Sequence, residues 1–170
     1  MKSKSAALAI SVLTAAVLWV TLDSRAYSGG PALTSDKARA LVAPIYDALT
    51  EPGKKDVDAL LKQTTADDFT SCSTESECVG RDALIARFKS LADAVPDLSW
   101  KIRDLWVSGS DVIVRAEAVG TPVGSFLGIQ PTGKSFKTMS IDIYQTRNGK
   151  IVRSYHVENW TAAIRQLNAK

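Results

Sequence analysis

The chain has 170 residues, 45% of them hydrophobic and 23% charged, with 21 Lys and Arg against 18 Asp and Glu. That is one domain's length with enough apolar residues to bury its own core, and the ordinary composition excludes collagen, coiled coil and wholesale disorder. A net charge of +3 gives no ground for a nucleic-acid partner, and one His with two Cys cannot supply the four ligands of a closed zinc site.

Lys2 and Lys4 precede an uncharged apolar run, Ala6 to Leu22, and small residues follow at Ser24 and Ala26. This is the layout of a secretory signal peptide over residues 1–26, cut after Ala26. The run is also nearly long enough to span a bilayer, so an uncleaved anchor is the alternative. On either reading the domain is exported: periplasmic, secreted or held at the membrane. Residues 27–34, with Gly29, Gly30 and Pro31, read as a flexible lead-in to a folded domain over 35–170.

Ser35 and Asp36 are placed to cap a helix whose apolar residues Leu41, Val42, Ile45, Ala48 and Leu49 follow the 3.6 period. Pro44 lies inside that pattern and predicts a kink or a break. Asp56 opens a second short helix with Val57, Leu60 and Leu61, and Thr65 to Phe69 reads as a short extended piece. Cys72 and Cys78 follow in a polar, turn-like stretch. In an oxidising compartment so close a pair predicts a disulfide, rather than a redox couple or a metal clip lacking further ligands. Asp82 starts a third helix with Leu84, Ile85, Phe88 and Leu91 on its buried side, and Pro96-Asp97 stops it.

Beyond Pro96 the period switches to two. Leu98 to Ser108 puts Leu98, Trp100, Ile102, Asp104 and Trp106 on one face, and Val112 to Gly120 pairs with it across a turn. Lys134 to Thr146 is a third strand. Asn148-Gly149 is a strong hairpin signal, Ile151 to Asn159 a fourth strand, and Trp160 to Leu167 a final helix. Helices first and hairpin-linked strands after them argue an α+β fold, with the helices on one face of a strongly curved antiparallel sheet.

Gly128 to Ser135 matches the phosphate-loop pattern G-x-x-x-x-G-K-[ST]. That loop works only where a helix begins at the Lys and aims its N–H groups at phosphate. Phe136, Thr138, Met139, Ile141 and Ile143 read as strand instead, so no nucleotide ligand is expected, and the glycines serve a loop with left-handed turns.

The run Pro122 to Gly133, then Ile141-Asp142-Ile143, Gly149-Lys150-Ile151-Val152 and Tyr155 to Trp160, resembles the SnoaL-like polyketide (ester) cyclase family, over about Ala38 to Leu167. The resemblance implies the nuclear-transport-factor-2-like superfold: a cone-shaped α+β barrel around helices, with a pocket at its open end, often in a homodimer. It also implies cofactor-free closure of a small, largely apolar, polyketide-like ester. Such chemistry needs a carboxylate to take an α-proton and donors to hold the enolate. The family's acid/base Asp falls at Asn159, whose amide cannot be a base near neutral pH.

The candidate catalytic residues are therefore Asp142, His156 and Asn159, with Asp104 and Glu158 as carboxylates able to replace the missing one. Candidate substrate-binding residues are the aromatic Trp106, Tyr144, Tyr155 and Trp160. Strict alternation sends Tyr155, Val157 and Asn159 one way and His156 and Glu158 the other, so His156 and Asn159 share a pocket only if a bulge intervenes. Two readings of function stay open: a cyclase or isomerase, and a non-catalytic binding or dimerisation module that lost its acid. An envelope accessory domain is a third.

Overall fold

The computed structural model describes residues 33–169; the expected signal peptide and residues 27–32 of the lead-in lie outside them. Helix α1, Ser35–Ala48, is capped by Thr34, whose hydroxyl accepts the Lys37 N–H at 3.3 Å, one position before the expected Ser35. Pro44 does not break it. Val42, Ile45, Tyr46 and Ala48 around the proline are all buried, so tertiary packing offsets the one lost backbone bond. Helix α2, Val57–Thr64, is capped by Asp56, and helix α3 spans Arg81–Ala94. Between them run strands β1, Thr65–Cys72, and β2, Cys78–Gly80, tied by the Cys72–Cys78 disulfide. Among the described residues no helix is long and apolar enough to cross a membrane.

Strands β3, Ser99–Ser108, β4, Asp111–Gly120, β5, Phe136–Arg147, and β6, Lys150–Glu158, follow, and helix α4, Trp160–Leu167, closes the chain. The six strands form one sheet in the order β2-β1-β6-β5-β4-β3. It curves but does not close, leaving β2 and β3 as its edges. All neighbours are antiparallel except β1 and β6, which run parallel. The hairpin rule behind the all-antiparallel expectation does not reach this pair, because a long connection separates its two strands. The Asn148-Gly149 turn has φ of 52° and 73°, the left-handed pair that a two-residue hairpin needs.

Inside the curve lie Val112, Val114, Ala116 and Ala118 of β4, Phe136 and Tyr144 of β5, and Ile151 of β6, packed against Val42, Ile45, Leu61, Ile85 and Phe88 of the helices. Each fully buried Leu, Val or Phe of this set contributes about 1.5–3 kcal/mol.

Two bulges decide which side chains look inward. On β3, Ile102 pairs with Ala116 but Asp104 pairs with Arg115, so Arg103 is an extra residue. The alternation reverses there. Trp100 is buried, while Asp104 and Trp106 turn to the outer face, where Trp106 is 52% exposed; the expectation that all three share a face is corrected. On β6, Ile151 pairs with Thr146 but Arg153 pairs with Gln145, so Val152 is extra. Ile151 points in, and after the bulge so do Ser154, His156 and Glu158. Of the two sets that alternation separates, His156 and Glu158 thereby take the pocket side, and Tyr155, Val157 and Asn159 the other.

The loop from Gly128 to Ser135 leads into β5, not into a helix. Gly128 and Gly133 take φ of 76° and 72°, so the glycines serve left-handed turns.

Candidate active site

The inner face of β5 reads Phe136, Thr138, Ser140, Asp142, Tyr144, all buried, while Lys137, Met139, Ile141 and Ile143 face out. Polar residues on the inner side of a strand lose their water and must find partners in the protein. Asp142 finds three. Its Oδ2 accepts hydrogen bonds from the Tyr46 hydroxyl of α1 at 2.8 Å and from the Ser140 hydroxyl at 2.9 Å. Its Oδ1 meets Nδ1 of His156, the residue directly opposite across the β5–β6 pair. Tyr144 donates to the Tyr46 oxygen at 3.1 Å, extending the chain of hydroxyls by one link.

The other imidazole nitrogen, Nε2, lies 2.9 Å from Oε1 of Glu158, two residues further along the same inward face. His156 is thus held between two carboxylates. The Asp142 side chain is 4% exposed, that of Glu158 14% and that of His156 30%, so the buried carboxylate is the anchor and the imidazole edge is open. The Trp100 ring sits 5.9 Å from the imidazole, a distance at which an indole face favours a cation.

Burial by itself pulls the His156 pKa down. The hydrogen bond and charge of Asp142, then those of Glu158, outweigh it and push the imidazole up to about 10. The imidazole is therefore held in its protonated form between the carboxyl groups of Asp142 and Glu158. Burial, with the neighbouring hydroxyl and the Asp142 charge, drives Tyr46 far above its ordinary value. Burial and Asp142 do the same to Tyr144, so both phenols stay protonated as donors.

The centre opens onto a cavity of about 320 Å³. Asp142, Tyr144, Ser154, His156 and Glu158 line it, and its walls are apolar: Ile45, Leu49, Phe69, Leu84, Phe88, Leu91, Phe126 and Trp160 among them. Phe126 stacks on Phe136 at 5.3 Å, and Trp160 packs edge-on against both, which fixes that wall. Among the described residues no group of three or more His, Cys, Asp or Glu is arranged to hold a metal ion.

Of the candidates named from sequence, Asp142, His156, Glu158, Tyr144 and Trp160 come together around this cavity. Asn159 does not. Its side-chain oxygen caps α4, accepting the Ala162 N–H at 3.1 Å, and it borders a separate pocket among β4, β5 and α4. Trp106 and Tyr155 stand outside as well: Trp106 pairs with Ile113, Ile113 with Ile143 and Ile143 with Tyr155, one row across the convex face. Asp104 is bound to Arg115 on that face, through a 2.5 Å bond from Nε. Tyr46 and Ser140 were not singled out from sequence. A tyrosine among α1's apolar positions and a serine two residues before an inward Asp were the only available signals.

This α+β cone with an acid–histidine–acid centre can be set beside known proteins. A family model described as SnoaL-like polyketide cyclase matches residues 40–167. The chain belongs to that family. No curated protein matches it significantly. Among solved structures, one named for a SnoaL-like polyketide cyclase from Jannaschia sp. CCS1 is 19% identical, with a TM-score of 0.70 over 83% of this chain and 99% of that one. TsrD from Streptomyces laurentii is 25% identical, with a TM-score of 0.69 over 81% and 99%. A SnoaL-like polyketide cyclase from Agrobacterium tumefaciens is 20% identical, with a TM-score of 0.62 over 77% and 98%. At such identities the likeness is one of fold.

Proposed function

We propose that this SnoaL-like domain is an exported, cofactor-free acid–base catalyst of ester-cyclase type, acting on a small, largely apolar, polyketide-like ester. The observation that carries the reading is His156, held between Asp142 and Glu158 in the lining of a largely apolar cavity. Asp142, saturated by Tyr46, Ser140 and His156, is a positioning residue that sets the imidazole's orientation and charge. Glu158 is the base: it takes the proton from the carbon α to a carbonyl, and the C–H electron pair moves onto the carbonyl oxygen. The imidazolium Nε2–H then donates to that enolate oxygen. The enolate carbon attacks a second carbonyl of the same molecule, and the proton returns from Glu158 to the new alkoxide.

The competing reading, a binding module without activity, draws on Asn159 standing where the resemblance implies an acid. Turnover of β-keto esters separates the two. We expect Glu158→Gln to lower kcat by about 10²–10⁴, the range for a positioned general base. Asn159→Asp is expected to leave kcat unchanged, because position 159 faces a helix end. Activity that appears only in Asn159→Asp would establish the binding module and remove Glu158 from the mechanism.

Export draws support from Lys2, Lys4 and the apolar run after them, and from the Cys72–Cys78 disulfide, which persists in oxidising compartments. A homodimer is the proposed assembly. The exposed outer face, with Trp106, Ile143 and Val157, suits a second copy better than water. Light scattering on Val157→Asp should then give the monomer mass; an unchanged mass would place the contact elsewhere.

A further inference from the structure

Helix α3 carries three cations, and two of them are spoken for. Arg81 is paired with Asp67 at 3.1 Å, and Lys89 with Asp58. The third, Arg87, makes no ion pair or side-chain hydrogen bond among the described residues, and it lines the cavity. Leu84, Arg87, Phe88 and Leu91 lie along one stripe of the helix, so the guanidinium stands between apolar wall residues. Ser90 borders the cavity from the same helix, and Ser71 and Ser73 border it from the end of β1, next to the disulfide. Arg87 is exposed, which puts its charge at the mouth.

We infer that the ligand, besides its ester, carries one oxyanion on a hydrophobic body: the body fills the cavity and Arg87 holds the oxyanion at the rim, with the Ser71 hydroxyl as the nearby donor, since those of Ser73 and Ser90 already donate to the carbonyls of Glu77 and Arg87. This rests on the cavity being the ligand site and adds the ligand's charge and its direction of entry. An unpaired guanidinium offers a planar fork for carboxylate-like oxygens. Inside, both imidazole nitrogens of His156 are already taken by the carboxyl groups of Asp142 and Glu158, which leaves the same oxyanion no free cation there. A cation at the rim and none free inside together allow one orientation, neutral part inward.

Two probes with the same aromatic body test this: 8-anilinonaphthalene-1-sulfonate, which is anionic, and N-phenyl-1-naphthylamine, which is neutral. His156 is the chain's one histidine, so the imidazole C–H signals in the NMR spectrum of the tag-free protein report occupancy of the cavity and of no other surface. The wild type should bind the sulfonate more tightly than the amine, with the preference shrinking in 0.5 M salt, about two to three times fewer ångströms of screening length than at 0.1 M. Arg87→Gln should weaken the sulfonate about three- to tenfold, between an exposed ion pair and a buried charge-assisted bond, and leave the amine unchanged. Arg87→Lys should recover part of the loss. Lys89→Gln, the same change of net charge on the same helix, should alter neither. Equal losses in Arg87→Gln and Lys89→Gln, or no sulfonate preference in the wild type, would overturn the inference while leaving the cavity as a binding site. If neither probe moves the His156 signals, the cavity reading itself fails and this one falls with it.

Discussion

An imidazole pushed up to about 10 in the folded chain and near 6.5 when unfolded makes stability depend on pH in one direction over a defined window. Below 6.5 both states hold the proton and the stabilisation is complete. Between about 7 and 9 the folded state keeps the proton and the unfolded state has lost it. Unfolding then releases one proton, and stability should fall by about 1.4 kcal/mol for each unit of rising pH. No other described group with a shifted pKa titrates in that window: Asp58, Asp68 and Glu117 are held low by Lys89, Arg147 and Arg103 respectively, and the two phenols are raised beyond it. Urea unfolding followed by circular dichroism at pH 6, 7, 8 and 9, with the disulfide kept oxidised, measures the slope directly. His156→Gln should give a flat profile over the same range, and Asp142→Asn, which removes the first of the raising causes, should move the fall to lower pH. A wild-type profile as flat as that of His156→Gln would refute the imidazolium between two carboxylates, whatever the activity.

Tyr46→Phe removes a donor from buried Asp142 and should cost about 1.5–3 kcal/mol of stability, the range for a hydrogen bond to a charged group; kcat should fall with KM nearly unchanged, because Tyr46 does not line the cavity. Cys72→Ser with Cys78→Ser opens a loop of sequence separation 6 and should cost about 2 kcal/mol in the same urea assay. Gly120→Ala would bring a Cβ to 2.4 Å from Cγ1 of Val95, and we expect a loss of about 1–3 kcal/mol from overpacking, visible as a lower Tm.

The elements were legible because hydrophobic period and turn chemistry are local. Gly and Asn at the β5–β6 turn, Asp56 before α2, and the change of period after Pro96 each act within a few residues. The facing of β3 and β6 was not legible. One extra residue, Arg103 or Val152, shifts every later side chain to the other side, and neither bulge announces itself by a glycine. Alternation therefore separated Tyr155, Val157 and Asn159 from His156 and Glu158 without saying which set faces the pocket.

Strand β5 shows why composition could not settle that choice. Its inner face carries Thr138, Ser140 and Asp142, while Met139, Ile141 and Ile143 lie on the outer face. A reader who sends the oilier face to the core turns this strand over. The inward polar run is stable only because partners from elsewhere meet it: Tyr46 arrives from α1, 96 positions away in sequence, and His156 from β6. Such a site is defined by satisfaction of a buried carboxylate, a property of three separate segments at once. That also explains how Asn159 can stand where the resemblance implies an acid without emptying the cavity of carboxylates. Behind the Val152 bulge the inward phase ends on Glu158, one residue earlier, and the residue after it is free to cap a helix.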